Sequence, residues 1–220
     1  MLTIEQVKQN PYILEFINQT ERAMEALFYT NHGLRHCNLV SERAQKIAKE
    51  LGLPEKDQEY AAIAGFCHDM GNFLSRTFHN YLAPLVFQQV FANQMDPEQL
   101  AIIMQAIAEH DKAEMRFTNA VSAVLVLADK SDVDRSRVTE KNVEKIKTDI
   151  HDRVNYATEE SDIKVSKEKK MITLTLKIDT NFVPIMEYFE IFTERMVFCR
   201  LAAEFLGYKF GLVINSFRLL

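Results

Sequence analysis

Glycine and proline are scarce in this chain, at six and five of 220 residues. With 47% hydrophobic residues beside that scarcity, a disordered or low-complexity chain is excluded and a folded, mostly helical globule is expected. Basic residues are in deficit too: 26 Lys and Arg face 31 Asp and Glu, a net charge of −5. A surface that tracks a polynucleotide usually needs a basic face, so no nucleic-acid polymer is expected as a partner. The deficit leaves a small phosphorylated substrate open, because a bound cation would add local positive charge that the formal count omits. No apolar run approaches the ~18 residues of a membrane span. The start, Met1-Leu2-Thr3-Ile4-Glu5, lacks the basic-then-apolar layout of a secretory signal. A cytoplasmic protein without a membrane partner is expected. The three cysteines, Cys37, Cys67 and Cys199, have no Cys-x-x-Cys spacing and read as reduced core residues.

A length of 220 residues suits one large domain, or one domain with an appendage. Residues 1–30 read as one or two helices broken at Asn10-Pro11. Helical patterns follow at about 36–51, 56–69, 79–94, 97–110 and 118–133, punctuated by Gly52-Leu53-Pro54 and Asp96-Pro97. In the 79–94 pattern Leu82, Leu85, Val86 and Val90 are the expected inward positions, with Pro84 best placed near the helix start. The character changes after about 138. Thr139–Ile150 reads as a solvated helix ending at His151, and 162–165 and 171–178 as two strands. A helix from about Pro184 to Leu206 carries the stripe Ile185, Phe189, Phe192, Met196, Cys199, Ala203, Leu206, and Gly207 stops it. Residues 211–215 can add a third strand. The expected organisation is a mainly α fold: a helical metal-binding domain over 1–138, and a helix plus small α+β appendage over 139–220. That appendage holds no ligand cluster, so its expected role is packing or a subunit interface, which would make a homodimer.

Six residues fit a metal site: His36, His68, Asp69, His79, His110 and Asp129. The strongest element is His68-Asp69, which follows the apolar run 60–67 directly and is itself followed by Met70-Gly71. Burying an imidazole and a carboxylate is unfavourable unless something pairs with them, and a divalent cation satisfies both. His36 opens a stripe of Leu39, Val40, Ala44, Ile47 and Leu51. His110 closes one with Ile107, Ala106 and Ile103, and Asp129 closes another with Val126, Leu125 and Val121. Residues three and four apart share a helix face, so each candidate ends a core-facing stripe. His79 follows a short loop and begins a further helix. Such a mixed nitrogen and oxygen donor set suits Mn, Fe, Co, Ni or Zn.

The order His36, His68-Asp69, Asp129 resembles the HD superfamily of metal-dependent phosphohydrolases over roughly residues 30–135. His68-Asp69-Met70-Gly71 looks like the family's His-Asp-x-Gly, and Ala128-Asp129-Lys130 like the segment carrying its last aspartate. The resemblance implies an all-α core with these four residues on one divalent ion. His79 and His110 match the extra histidines of binuclear members, in which Asp69 would bridge to a second ion. The chain is similar to HD hydrolases of symmetrical dinucleoside tetraphosphates. It also resembles cyclic-dinucleotide phosphodiesterases, with Asp111-Lys112-Ala113-Glu114 where those carry Gly-Tyr-Pro. As a whole it looks most like bacterial HD proteins for which no substrate is implied.

The implied activity is hydrolysis of a small phosphorylated molecule, with a nucleotide the leading candidate, by a metal-bridging hydroxide attacking phosphorus. A divalent pair about 3.5–4 Å apart supplies nucleophile and charge. Asp69 is then the central catalytic carboxylate. Arg76, Lys130 and Arg35 are the candidate phosphate contacts. His32, one turn before His36, is a candidate proton donor or substrate contact, and equally a candidate helix cap. His151-Asp152 repeats the His-Asp pair with no apolar run before it and is expected to be structural. Two rival functions share the ligand set: a di-iron oxygenase on an HD scaffold, and a catalytically silent metal- and ligand-binding module.

Overall fold

A computed structural model of the chain describes residues 2–219; Met1 and Leu220, the end points of the two expected units, lie outside them. The architecture is mainly α with a small C-terminal sheet, as expected. Helix α1 (Ile4–Lys8) and helix α2 (Pro11–Ala26) break where Asn10 accepts the Tyr12 and Ile13 N–H groups and Pro11 opens the next helix. Five helices then build the core: α3 (Leu34–Leu51), α4 (Glu55–Cys67), α5 (His79–Phe91), α6 (Pro97–Glu109) and α7 (Ala120–Lys130). The side chains of Asp96 and Asn119 cap α6 and α7 by accepting the N–H groups of Gln99 and Ser122. Helix α7 is the axis of the domain. Every residue from Val121 to Lys130 is buried, with α3, α4, α6 and the C-terminal helix packed around it. Each Val or Leu so buried contributes roughly 1.5–3 kcal/mol, which holds the polar end of α7 inside.

Two expectations change in this core. On α5 the buried face is His79, Asn80, Ala83, Pro84, Phe87 and Phe91. Leu85 is exposed, while Leu82, Val86 and Val90 are half-buried. Pro84 lies inside the helix rather than at its start. The cause is the neighbour at Gly71, where an added Cβ would lie 2.4 Å from the His79 carbonyl oxygen and 2.7 Å from the Ala83 nitrogen. That backbone approach, rather than the bulkier aliphatic stripe, sets which side of α5 faces inward. Further on, the helix expected over 139–150 is broken. A 3-10 turn (Arg135–Arg137) and the short α8 (Val143–Ile146) precede α9 (Ile150–Ala157), which starts where Asp149 accepts the His151 and Asp152 N–H groups.

Strands β1 (Thr158–Ser166) and β2 (Met171–Ile178) form an antiparallel pair. Strand β1 begins four residues earlier than its apolar pattern suggests, because β2 supplies the pairing for Thr158, Glu160 and Ser161, with a shift of register at Glu159. Helix α10 (Ile185–Phe205) connects β2 to the parallel strand β3 (Lys209–Ile214), and β4 (Phe217–Arg218) closes the order β1-β2-β3-β4. Gly207, at φ 78°, turns the chain out of α10. Helix α10 packs on α7 as well as on β3 and β2, which ties the C-terminal segment to the helical core. Among the described residues no helix is long and apolar enough to cross a membrane.

Candidate metal centre

The six candidate ligands converge, and backbone proximity explains why. At Gly65 an added Cβ would lie 2.9 Å from the Ser41 Cα, so α4 rests directly on α3. This contact brings His36, near the start of α3, to His68, just past the end of α4; their Nε2 atoms are 3.2 Å apart. The Gly71 approach does the same for α5. Asn80 donates to the Ala108 carbonyl, pinning α5 to the end of α6, and His79 Nε2 lies 3.2 Å from His110 Nε2.

Asp69 stands between the two histidine pairs. Its Oδ2 is 3.4 Å from His36 Nε2 and 3.3 Å from His68 Nε2. Its Oδ1 is 3.4 Å from His79 Nε2 and 3.7 Å from His110 Nε2. One carboxylate thus turns an oxygen to each pair. Asp129 joins the first pair, with Oδ1 3.3 Å from His36 Nε2 and 3.6 Å from His68 Nε2. All six residues are buried.

The other ring nitrogens fix the tautomers. His68, His79 and His110 each direct Nδ1 at a backbone carbonyl three residues earlier, Gly65, Arg76 and Ile107, at 2.8, 2.8 and 2.6 Å. His36 Nδ1 lies 2.6 Å from Asp132 Oδ2. Carbonyl and carboxylate oxygens accept, so each Nδ1 donates and each Nε2 turns a lone pair inward. Four lone pairs and two carboxylates then face one another. Protons can satisfy only some of them. Burial opposes charge on His68, yet Asp69 and Asp129 outweigh it and push its pKa up to about 10. Burial takes His79 the other way, down to about 4, so it stays neutral with only acceptors around its Nε2. The donor set fits divalent cations. Three overlapping groups could hold one: His36, His68 and Asp69; His68, His110 and Asp129; Asp69, His79 and His110.

A cavity of about 240 Å³ opens on this cluster. Arg76 lines it, donating to Asn72 Oδ1 at 3.0 Å and lying 3.5 Å from His79 Nδ1. Lys130 lines it as well, with Nζ 2.7 Å from Asp111 Oδ1 and 3.0 Å from Asp129 Oδ2. Burial opposes the Lys130 charge, but these two carboxylates hold its pKa above the ordinary value. Burial keeps His32 well below the usual imidazole range. Its Nδ1 faces the Thr30 carbonyl and its Nε2 accepts from Arg137 Nη2 at 3.4 Å. His32 therefore faces the cavity without a free proton to give, and its ring orients Arg137. Arg35 is not at the cavity: its guanidinium turns onto Asp132. His151 is exposed and paired with Asp149, away from the cluster. The three cysteines are buried free thiols.

Several site residues were not legible in the sequence. Asp132 opens the run Asp132-x-Asp134-Arg135-x-Arg137, which reads in sequence as a helix end with local salt bridges or, as an alternative, a rim of the pocket. It is fully buried and holds His36, Arg35 and Arg137 together. Asn72 bridges Asp69 and Arg76; its place four residues before Arg76 is the one signal that pointed to it. From α10, Ile191, Glu194, Arg195 and Phe198 form a wall of the cavity, although no ligand pattern marks that helix.

Compared with known families, residues 33–157 match the model of the HD domain. No curated protein matches the chain.

Proposed function

Because this chain belongs to the HD-domain family, a superfamily of metal-dependent hydrolases, we propose that it is a phosphohydrolase acting on a small phosphorylated molecule, with a nucleotide the leading candidate. The observation that carries this reading is Asp69, one carboxylate with an oxygen toward each of two histidine pairs, at the floor of a cavity lined by Arg76 and Lys130.

In this reading His36, His68, Asp69 and Asp129 hold one divalent ion, and Asp69, His79 and His110 a second, drawn from Fe, Mn, Co, Ni or Zn. Bound there, such ions supply positive charge for phosphoryl oxygens and acidify water for attack on phosphorus. The rest falls to the chain. The Nδ1 hydrogen bonds hold the four rings so that no reorganisation is needed during reaction. Arg76, fixed by Asn72, presents its free N–H groups to phosphoryl oxygens. Lys130, held between Asp111 and Asp129, adds a fixed positive charge. The buried floor and the α10 wall limit water, which strengthens each of these interactions. Phosphoryl transfer is chiefly positioning and electrostatic stabilisation, and these are the roles the residues can fill.

The test is a panel of nucleotides and simple phosphate esters, assayed with each of the five metals while oxygen uptake is recorded. Phosphate release without oxygen uptake supports the reading. Oxygen consumption with iron and no phosphate release would replace it with the oxidative alternative.

A further inference from the structure

Four cationic side chains line the cavity, and three are already engaged. Lys130 is paired with Asp111 and Asp129. Arg137 donates to the Asp132 and Asn31 carbonyls and to His32. Arg76 donates to Asn72. Arg195 differs. It is partly buried on α10, its guanidinium carbon 4.8 Å from the Phe192 ring centroid. Among the described residues it has no hydrogen bond and no ion pair. Glu194, its neighbour on the same helix, lines the cavity without pairing to it. Stacking on an aromatic face fixes the plane of a guanidinium and leaves its fork of N–H donors free. Enclosing such a group without an acceptor is unfavourable, so an anion in the working complex is the natural partner. Arg195 also lies beyond residue 157, where the family match ends, so nothing in the common metal-binding framework accounts for it.

We propose that Arg195 recognises a second anionic group of the substrate, so that the C-terminal segment selects compact phosphate esters carrying a further phosphate or carboxylate. This rests on the phosphohydrolase reading above and narrows it, away from a nucleotide, to smaller esters. The group being hydrolysed lies at the histidine cluster beside Arg76, and the second anion reaches the α10 wall. The cavity of about 240 Å³ falls below the ~300–1,000 Å³ usual for small-molecule sites, so the spacer between the two anions is short. Ile191 and Phe198, the apolar part of the wall, offer the spacer contact and no further polar recognition.

The experiment compares ethyl phosphate with phosphoglycolate, esters of similar size of which the second adds a carboxylate, and with a two-carbon bisphosphate. The full-length, metal-replete protein is assayed beside Arg195→Gln and Arg195→Lys. Wild type is expected to favour the two-anion esters at least tenfold in kcat/KM. Arg195→Gln should shrink that ratio at least tenfold, chiefly through KM, with metal content unchanged, and Arg195→Lys should restore part of it. No preference in wild type, an equal ratio in Arg195→Gln, or loss of metal from that variant overturns the proposal. If neither these esters nor the nucleotide panel above is hydrolysed, the phosphohydrolase reading fails by itself. Calorimetric titration with inorganic diphosphate then decides Arg195: binding at least tenfold weaker in Arg195→Gln supports it, and equal binding overturns it.

Discussion

The two halves of the candidate metal centre are built differently. In the half formed by His36, His68 and Asp129, the outer nitrogen of His36 is held by a buried carboxylate, Asp132, which Arg35 and Arg137 neutralise. In the half formed by His79 and His110, both outer nitrogens meet backbone carbonyls, and the nearby aspartate, Asp111, stands 3.7 Å from His79 Nε2 with its other oxygen on Lys130. A carboxylate partner raises the basicity of an imidazole ligand more than a neutral carbonyl does. The first half should therefore hold its ion more tightly, and the second should be the one that loads last and empties first. Asp69 is the residue the halves share.

Substitution at Asp69 should have the largest effect. Asp69→Asn removes the shared carboxylate charge, and hydrolysis of an activated phosphate ester should fall by at least on the order of 10²–10³ while circular dichroism reports an unchanged fold. Near-wild-type turnover would mean that the two halves do not act through Asp69. Asp132→Asn separates the halves. It should weaken metal binding about 10–100-fold at the His36 half and leave the His79 half as it was, read by competition with a chromogenic chelator. Equal weakening of both would erase the proposed asymmetry.

The contrast also bears on what a sequence discloses. Stripes on α3, α6 and α7 announce His36, His110 and Asp129 because helical periodicity and a core-facing position go together. His68-Asp69 is announced by the apolar run before it. Asp132 is not announced, since the charged run it opens, Asp132-x-Asp134-Arg135-x-Arg137, carries no apolar stripe in sequence, and its partners Arg35 and Arg137 are met only in the fold. The inward face of α5 is hidden for a similar reason: Gly71 admits the backbone at Ala83, a contact between distant segments that leaves no periodic trace. Arg195 is an ordinary charged residue beside an apolar stripe until α10 is laid on α7.

Chelation should lower the melting temperature, because the ligands come from several helices. A ligand at 100 times its Kd stabilises the native state by about 2.7 kcal/mol, or roughly 5–10 °C for a chain of this size. No shift on complete removal would mean that the six residues do not share a metal. The smallest effect is expected from Arg76→Ala. It should raise KM several-fold and leave metal content intact, since Arg76 bonds Asn72 and not the ligand oxygens of Asp69. Loss of metal in this variant would move Arg76 from the substrate to the scaffold.

Elemental analysis of metal-replete protein tests the central claim most directly, with wild type and His79→Ala measured side by side. Wild type should carry two transition-metal equivalents per chain, and His79→Ala one, held by His36, His68, Asp69 and Asp129. One equivalent or fewer in wild type would contradict the account.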